Sequence, residues 1–398
     1  MPREDALVDS IGFDSYGHVA YHRSTPEEHR YYWRASPPEV SQEIVDRYQS
    51  SALAGPCVPI PQLLGVPEAL TPIEVACVHL FQANIGALMS LPHTCLPIRC
   101  LEQVQKSDNI PSNLLALGWT IVSLSLGPMI YEDNSLIRQP PNSVGDSIWL
   151  LPRVCLRMVT HLDDERNLQA VVIDLFDAAM NHPNNVRGVV YGIGFSFFHC
   201  VIVRIDTDQQ GSFKHTPALQ FLPSWYATSQ STPGITALVR LGCVFDIVEL
   251  LDIPPAPRVL DGHVLSFVPQ EIWMLIASYI HSVPDFITLS SLSPLAMDAV
   301  KAQPKHPQLG EYRILRAMPS TVPNGNMSDD DSEEGNSKLW EAEFEVAHDG
   351  QPRSFTLHVS RADYSRGAGK VMFQKETGPW DYYVWGMQYD VKTPKRFS

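Results

Sequence analysis

Three groups of residues in this chain carry side chains able to do chemistry, and the spacing in each argues against it. Ser196, His199 and Cys200 supply a hydroxyl, an imidazole and a thiol, the components of an activated nucleophile. The nucleophile elbow of a hydrolase reads Gly-x-Ser-x-Gly, whereas Gly194-Phe-Ser-Phe-Phe198 lacks the second glycine. Residues three apart on an extended strand also point to opposite faces, so Ser196 and His199 are not expected to meet. His93, Cys95 and Cys100, with Cys77 and His79 close in sequence, are zinc-ligand types. Structural zinc takes paired knuckles; Cys95 and Cys100 fit only the loose end of that spacing, and no second pair follows. His161, Asp163, Asp164 and Glu165 are better explained as a helix start, where acids meet the positive end of the dipole.

Nucleotide chemistry is no better supported. The glycines between 188 and 194 lack both the Lys-Ser/Thr ending of a phosphate loop and the dinucleotide spacing. The chain is therefore expected to be non-enzymatic, with no catalytic residue, no cofactor and no metal. Its formal charge of −15 argues against a nucleic-acid or anionic-membrane surface, since both need a basic face. The one basic tract, at 392–396, is too short to outweigh that charge. From 109 to 131 no residue is charged, but Pro111, Gly118, Gly127 and Pro128 interrupt the run, so a buried core element is expected rather than a membrane span. The start, Met-Pro-Arg-Glu-Asp-Ala, has no apolar secretory region. Seven scattered cysteines form no disulfide framework. An intracellular protein, cytoplasmic or nuclear, is the expectation.

The elements that must position any site are short, because 33 prolines punctuate the chain. Residues 1–35 read as a loose aromatic arm. Ser36-Pro-Pro-Glu39 looks like a helix start, with Val40, Ile44, Val45 and Tyr48 on one face to about Ser50. Thr71-Pro-Ile-Glu74 repeats the signal for a helix ending near Ser90. A third helix starts at Asp163 or Asp164, where Leu168, Val171, Val172, Leu175, Phe176 and Ala179 recur at steps of three and four. Residues 188–196 and 197–205 are β-branched and aromatic, as buried strands are. Residues 36–255 are thus expected to form one α+β domain. The run 319–338 holds the block Asp329-Asp-Asp-Ser-Glu-Glu334 and reads as an acidic disordered linker. Residues 339–398 read as a small antiparallel β-rich tail. There Trp340, Ala342, Phe344 and Val346 alternate with glutamates, and runs follow at 355–359, 371–373 and 383–389.

Between a short stiff connector, Pro254-Pro-Ala-Pro257, and the linker, residues 264–302 read as three short helices. Pro269 suits a first turn and Glu271 the dipole end; Ile272, Ile276, Tyr279 and Ile280 share a face. Ser282-x-x-Asp285 starts a second helix with Phe286 and Leu289, and Ser293-Pro294 a third. Helices this short need partners for their apolar faces, which leaves Trp273 and its neighbours available to another protein.

With Val268, Pro269, Glu271, Ile272, Ile276, Tyr279, Ile280, Asp285, Leu289, Leu292 and Ser293 in family-like positions, this stretch resembles the F-box family. It is most like the many uncharacterised fungal proteins that carry an F-box-like module. It departs from the family at Pro294, where a basic residue is usual, and at Leu295 and Ala296, where an aromatic is usual. The resemblance implies a non-enzymatic adaptor that links a client protein to a Skp–cullin ubiquitin ligase. Pro269, Ile272, Trp273, Ile276, Tyr279 and Phe286 would form or support the face that docks on a Skp-type adaptor protein. The alternative is an intracellular binding or scaffold protein whose helical module is internal packing.

Overall fold

A computed structural model describes residues 10–13, 19–22, 36–89, 98, 101, 104, 109–127, 147–181, 187–208, 212–222, 232–245, 268–280, 283–303, 306–309, 312–318, 338–348, 351–360, 371–375 and 378–382. The elements in chain order are β1 (Ser10–Phe13), β2 (Val19–His22), α1 (Gln42–Ser51), β3 (Ala52–Cys57), α2 (Ile60–Leu64), α3 (Pro72–Met89) and α4 (Ser112–Leu126). Next come β4 (Ile148–Leu151), β5 (Val154–Met158), α5 (Glu165–Met180), β6 (Val189–Phe195), β7 (His199–Asp206), β8 (Ser212–His215), β9 (Leu219–Gln220) and α6 (Pro233–Val244). The last are α7 (Gln270–Ser278), α8 (Val283–Ser290), α9 (Pro294–Lys301), β10 (Gln308–Leu309), β11 (Tyr312–Ala317), β12 (Lys338–His348), β13 (Gln351–Ser360), β14 (Val371–Lys375) and β15 (Gly378–Tyr382). The class is α+β, with mixed sheets. No helix among the described residues is long and apolar enough to cross a membrane.

The central sheet runs β3-β8-β7-β6-β5-β4, with β9 on β7. Its β5 and β6 are parallel and joined through α5, the crossover that parallel neighbours require. Both faces are covered, so the strands read as continuous apolar runs rather than as alternation. Tyr191, Ile193, Phe195, Cys200 and Ile202 enter one core with α3, α4 and α6. Val190, Val201, Val203 and Ile205 enter another with α1 and α5. Gly192 and Gly194 sit under α5: a Cβ on Gly192 would lie 2.9 Å from that of Leu175, and one on Gly194 2.7 Å from a Val171 methyl. Those glycines let the helix approach the sheet, which is why a phosphate-loop spacing is not needed to explain them.

The helix starts follow the local chemistry. At α3, Thr71 N–H donates to Glu74 Oε2 at 2.7 Å and Glu74 N–H donates to Thr71 Oγ1 at 3.2 Å, a reciprocal capping box. Asp164 caps α5 through Asn167 N–H at 3.0 Å. At α1 the expected start is corrected. Ser36–Ser41 is non-helical and the helix begins at Gln42, because the residue before a proline is pushed out of the helical region. The Pro38 carbonyl instead accepts from Asn167 Nδ2 at 3.2 Å.

The β-rich tail is larger than expected and is not separate. β10 and β11 join it in a six-stranded antiparallel sheet, β10-β11-β12-β13-β14-β15. Ile314, Phe344 and Val346 are buried in the same core as α3. That helix buries consecutive residues, Ala76, Cys77 and Val78, along with Leu80, Phe81 and Ile85, as a helix covered on more than one face must. It lies between α6 and the β11–β13 part of the tail sheet. The fourth run expected at 383–389, residues 319–337 of the linker expected at 319–338 and most of the N-terminal arm lie outside the described residues, while Lys338 already belongs to β12. Within the arm, β1 and β2 pair as a hairpin.

Candidate functional site

The serine and histidine do meet, but not as a catalytic pair. Residues 188–206 form a tight hairpin, not one extended run: β6 ends at Phe195, β7 begins at His199, and Ser196 N–H donates to the His199 carbonyl at 2.9 Å. Ser196 Oγ donates to the same carbonyl and accepts from His199 N–H, each at 3.1 Å. The hydroxyl is committed to backbone. Phe197 turns the corner at φ 64° and is fully buried; anchoring in the core offsets the strain of a bulky left-handed residue. Cys200 beside it is buried, and burial pushes its thiol well up. At 161–165, Asp164 is spent on its helix cap. Among the described residues no group of three or more His, Cys, Asp or Glu side chains could hold a metal ion. His93, Cys95 and Cys100 lie outside them.

What the fold leaves open is one face of the three-helix module. α7, α8 and α9 enclose a core of their own, built from Trp273, Ala277, Phe286, Leu289, Ala296, Met297, Ala299 and Val300. Ser293 starts α9 by accepting from Ala296 N–H at 3.1 Å, with Pro294 in the first turn. Pro269 precedes α7, and its carbonyl accepts from Ile272 N–H at 3.1 Å and Trp273 N–H at 3.3 Å. The start expected at Ser282 lies outside the described residues.

On α7 the apolar residues divide into two sets. Trp273 and Ala277 face inward at 3% and 1% exposure. Ile272, Leu275, Ile276 and Tyr279, spaced i, i+3, i+4 and i+7, form a stripe exposed at 45%, 53%, 39% and 73%. Ile287 on α8 and Leu292 just beyond it are also exposed, and Pro269 lies at the surface where α7 begins.

Trp273 is therefore corrected as a residue available to a partner, and Phe286, at 5% exposure, is likewise interior. Both support the face from beneath. The physical reason is packing: only one side of α7 can close against α9, and that side carries the indole. Trp273 Nε1 is buried with no hydrogen-bond acceptor among the described residues, a cost the module's packing must offset. Leu275, the most exposed aliphatic of the stripe, was missed by the sequence reading, although its three-residue step from Ile272 is the signal that identifies it.

Chemically the stripe offers apolar area and one polar group, the phenol O–H of Tyr279. Covering its four side chains would contribute roughly 5 kcal/mol at about 25 cal/mol per Å², before the costs of association. Comparison of the chain with protein-family models, with curated proteins and with solved structures finds no match. The exposed stripe, together with the sequence resemblance of 264–302 to the F-box family, carries the reading that follows.

Proposed function

We propose that this chain is a non-enzymatic adaptor that docks through the α7 stripe on a Skp-type protein and links a client to a cullin ubiquitin ligase. The observation that carries the reading is the uncovered face of Ile272, Leu275, Ile276 and Tyr279 on a helical unit with its own core. Grouped apolar side chains at the surface mark an interaction site, whereas single ones need no explanation. An amphipathic helix offering i, i+3, i+4 and i+7 anchors is a recurring way to meet a partner helix or groove. Pro269, Ile272, Ile276 and Tyr279 form the face, with Trp273 and Phe286 setting its shape. The layered α+β body and the C-terminal sheet are left to choose the client. The work would be done inside the cell, in cytoplasm or nucleus.

The test is co-purification of the full chain with a Skp-type adaptor. Binding by the native chain, lost in Ile272→Asp/Ile276→Asp with an unchanged circular dichroism spectrum, supports the reading. Because both residues are already part-exposed, the aspartates should fold. No association with the intact chain sinks the adaptor role. The competing scaffold reading, with the module as internal packing, would need the stripe covered by the chain itself.

A further inference from the structure

We draw no further inference here: the strongest candidate, the side-chain cluster of Tyr48, Cys57, His215 and Glu165 at the β3–β8 edge of the central sheet, rests on one exposed thiol, since Tyr48 and the Thr216 carbonyl already engage both ring nitrogens of His215 and Glu165 accepts from Gln169.

Discussion

Replacing Trp273 and Ile276, three residues apart on α7, should have very unequal consequences for the helical module. Trp273 is 3% exposed within a core of eight buried residues, whereas Ile276 is 39% exposed beside it. Truncating a buried tryptophan costs about 3–5 kcal/mol. The lower end is expected here, because Trp273→Ala also removes an indole N–H that has no acceptor among the described residues. Ile276→Ala removes a side chain that is already part-hydrated, and about 1 kcal/mol is expected. The chain has several packed layers, so a single global transition would blur the comparison. Amide hydrogen exchange across 270–301 reads the module's own opening instead. A loss of 3 kcal/mol speeds exchange roughly 150-fold, and 1 kcal/mol about five-fold. Equal acceleration by the two variants would refute the division of α7 into a packed and a free face.

Glu74→Ala should be among the most damaging single changes. Arg240 is 3% exposed, its Nε lies 3.2 Å from Glu74 Oε1, and its other contacts are the Glu68 and Pro67 carbonyls. Removing the carboxylate strands that charge and opens the α3 capping box, a loss of about 3–5 kcal/mol by chemical denaturation. Glu74→Met/Arg240→Met should recover most of it, and no recovery would mean that the pair is not what holds α6 to α3. Stability should also fall on mild acidification. His215 Nδ1 faces the Thr216 carbonyl at 2.7 Å and so carries the proton, leaving Nε2 to accept from Tyr48 O–H at 2.6 Å. Burial lowers the pKa of His215, and that of His306, below the ordinary 6.5. The unfolded chain therefore takes up protons first, and stability present above about 6.5 is lost as pH drops below it. His215→Gln should flatten that part of the pH–stability curve, and an unchanged slope would contradict the assignment.

Local chemistry was legible in the sequence; long-range pairing was not. The capping box at Thr71–Glu74, the cap at Asp164 and the Ser293-Pro294 start are encoded within four residues, and each is present in the fold. The alternation from Trp340 to Val346 also places β12 correctly. By contrast, β10 is two residues long and β11 is bulged between Ile314 and Arg316, so neither carries a clean period. The docking of the tail sheet on α3 was hidden because an all-round apolar helix does not say what covers its second face. The two strands on either side of Ser196 were legible, but not the tightness of the reversal that brings Ser196 to the His199 backbone, since Phe197 is not a turn residue. On α7 both sides are apolar, and only the packing of α8 and α9 decides that Trp273 turns in and Ile272 turns out. Candidate residues were thus identifiable as a set, but not their division between core and surface.

The central claim is that the α7 stripe is open in the free chain and closes on a partner. Photo-activated carbene labelling of the full-length protein, mapped by mass spectrometry, reads it directly. The account predicts heavy labelling at Leu275 and Tyr279, little at Trp273, and protection of the first two when a Skp-type adaptor is added. A free chain in which Leu275 and Tyr279 are labelled no more than Trp273 would contradict it.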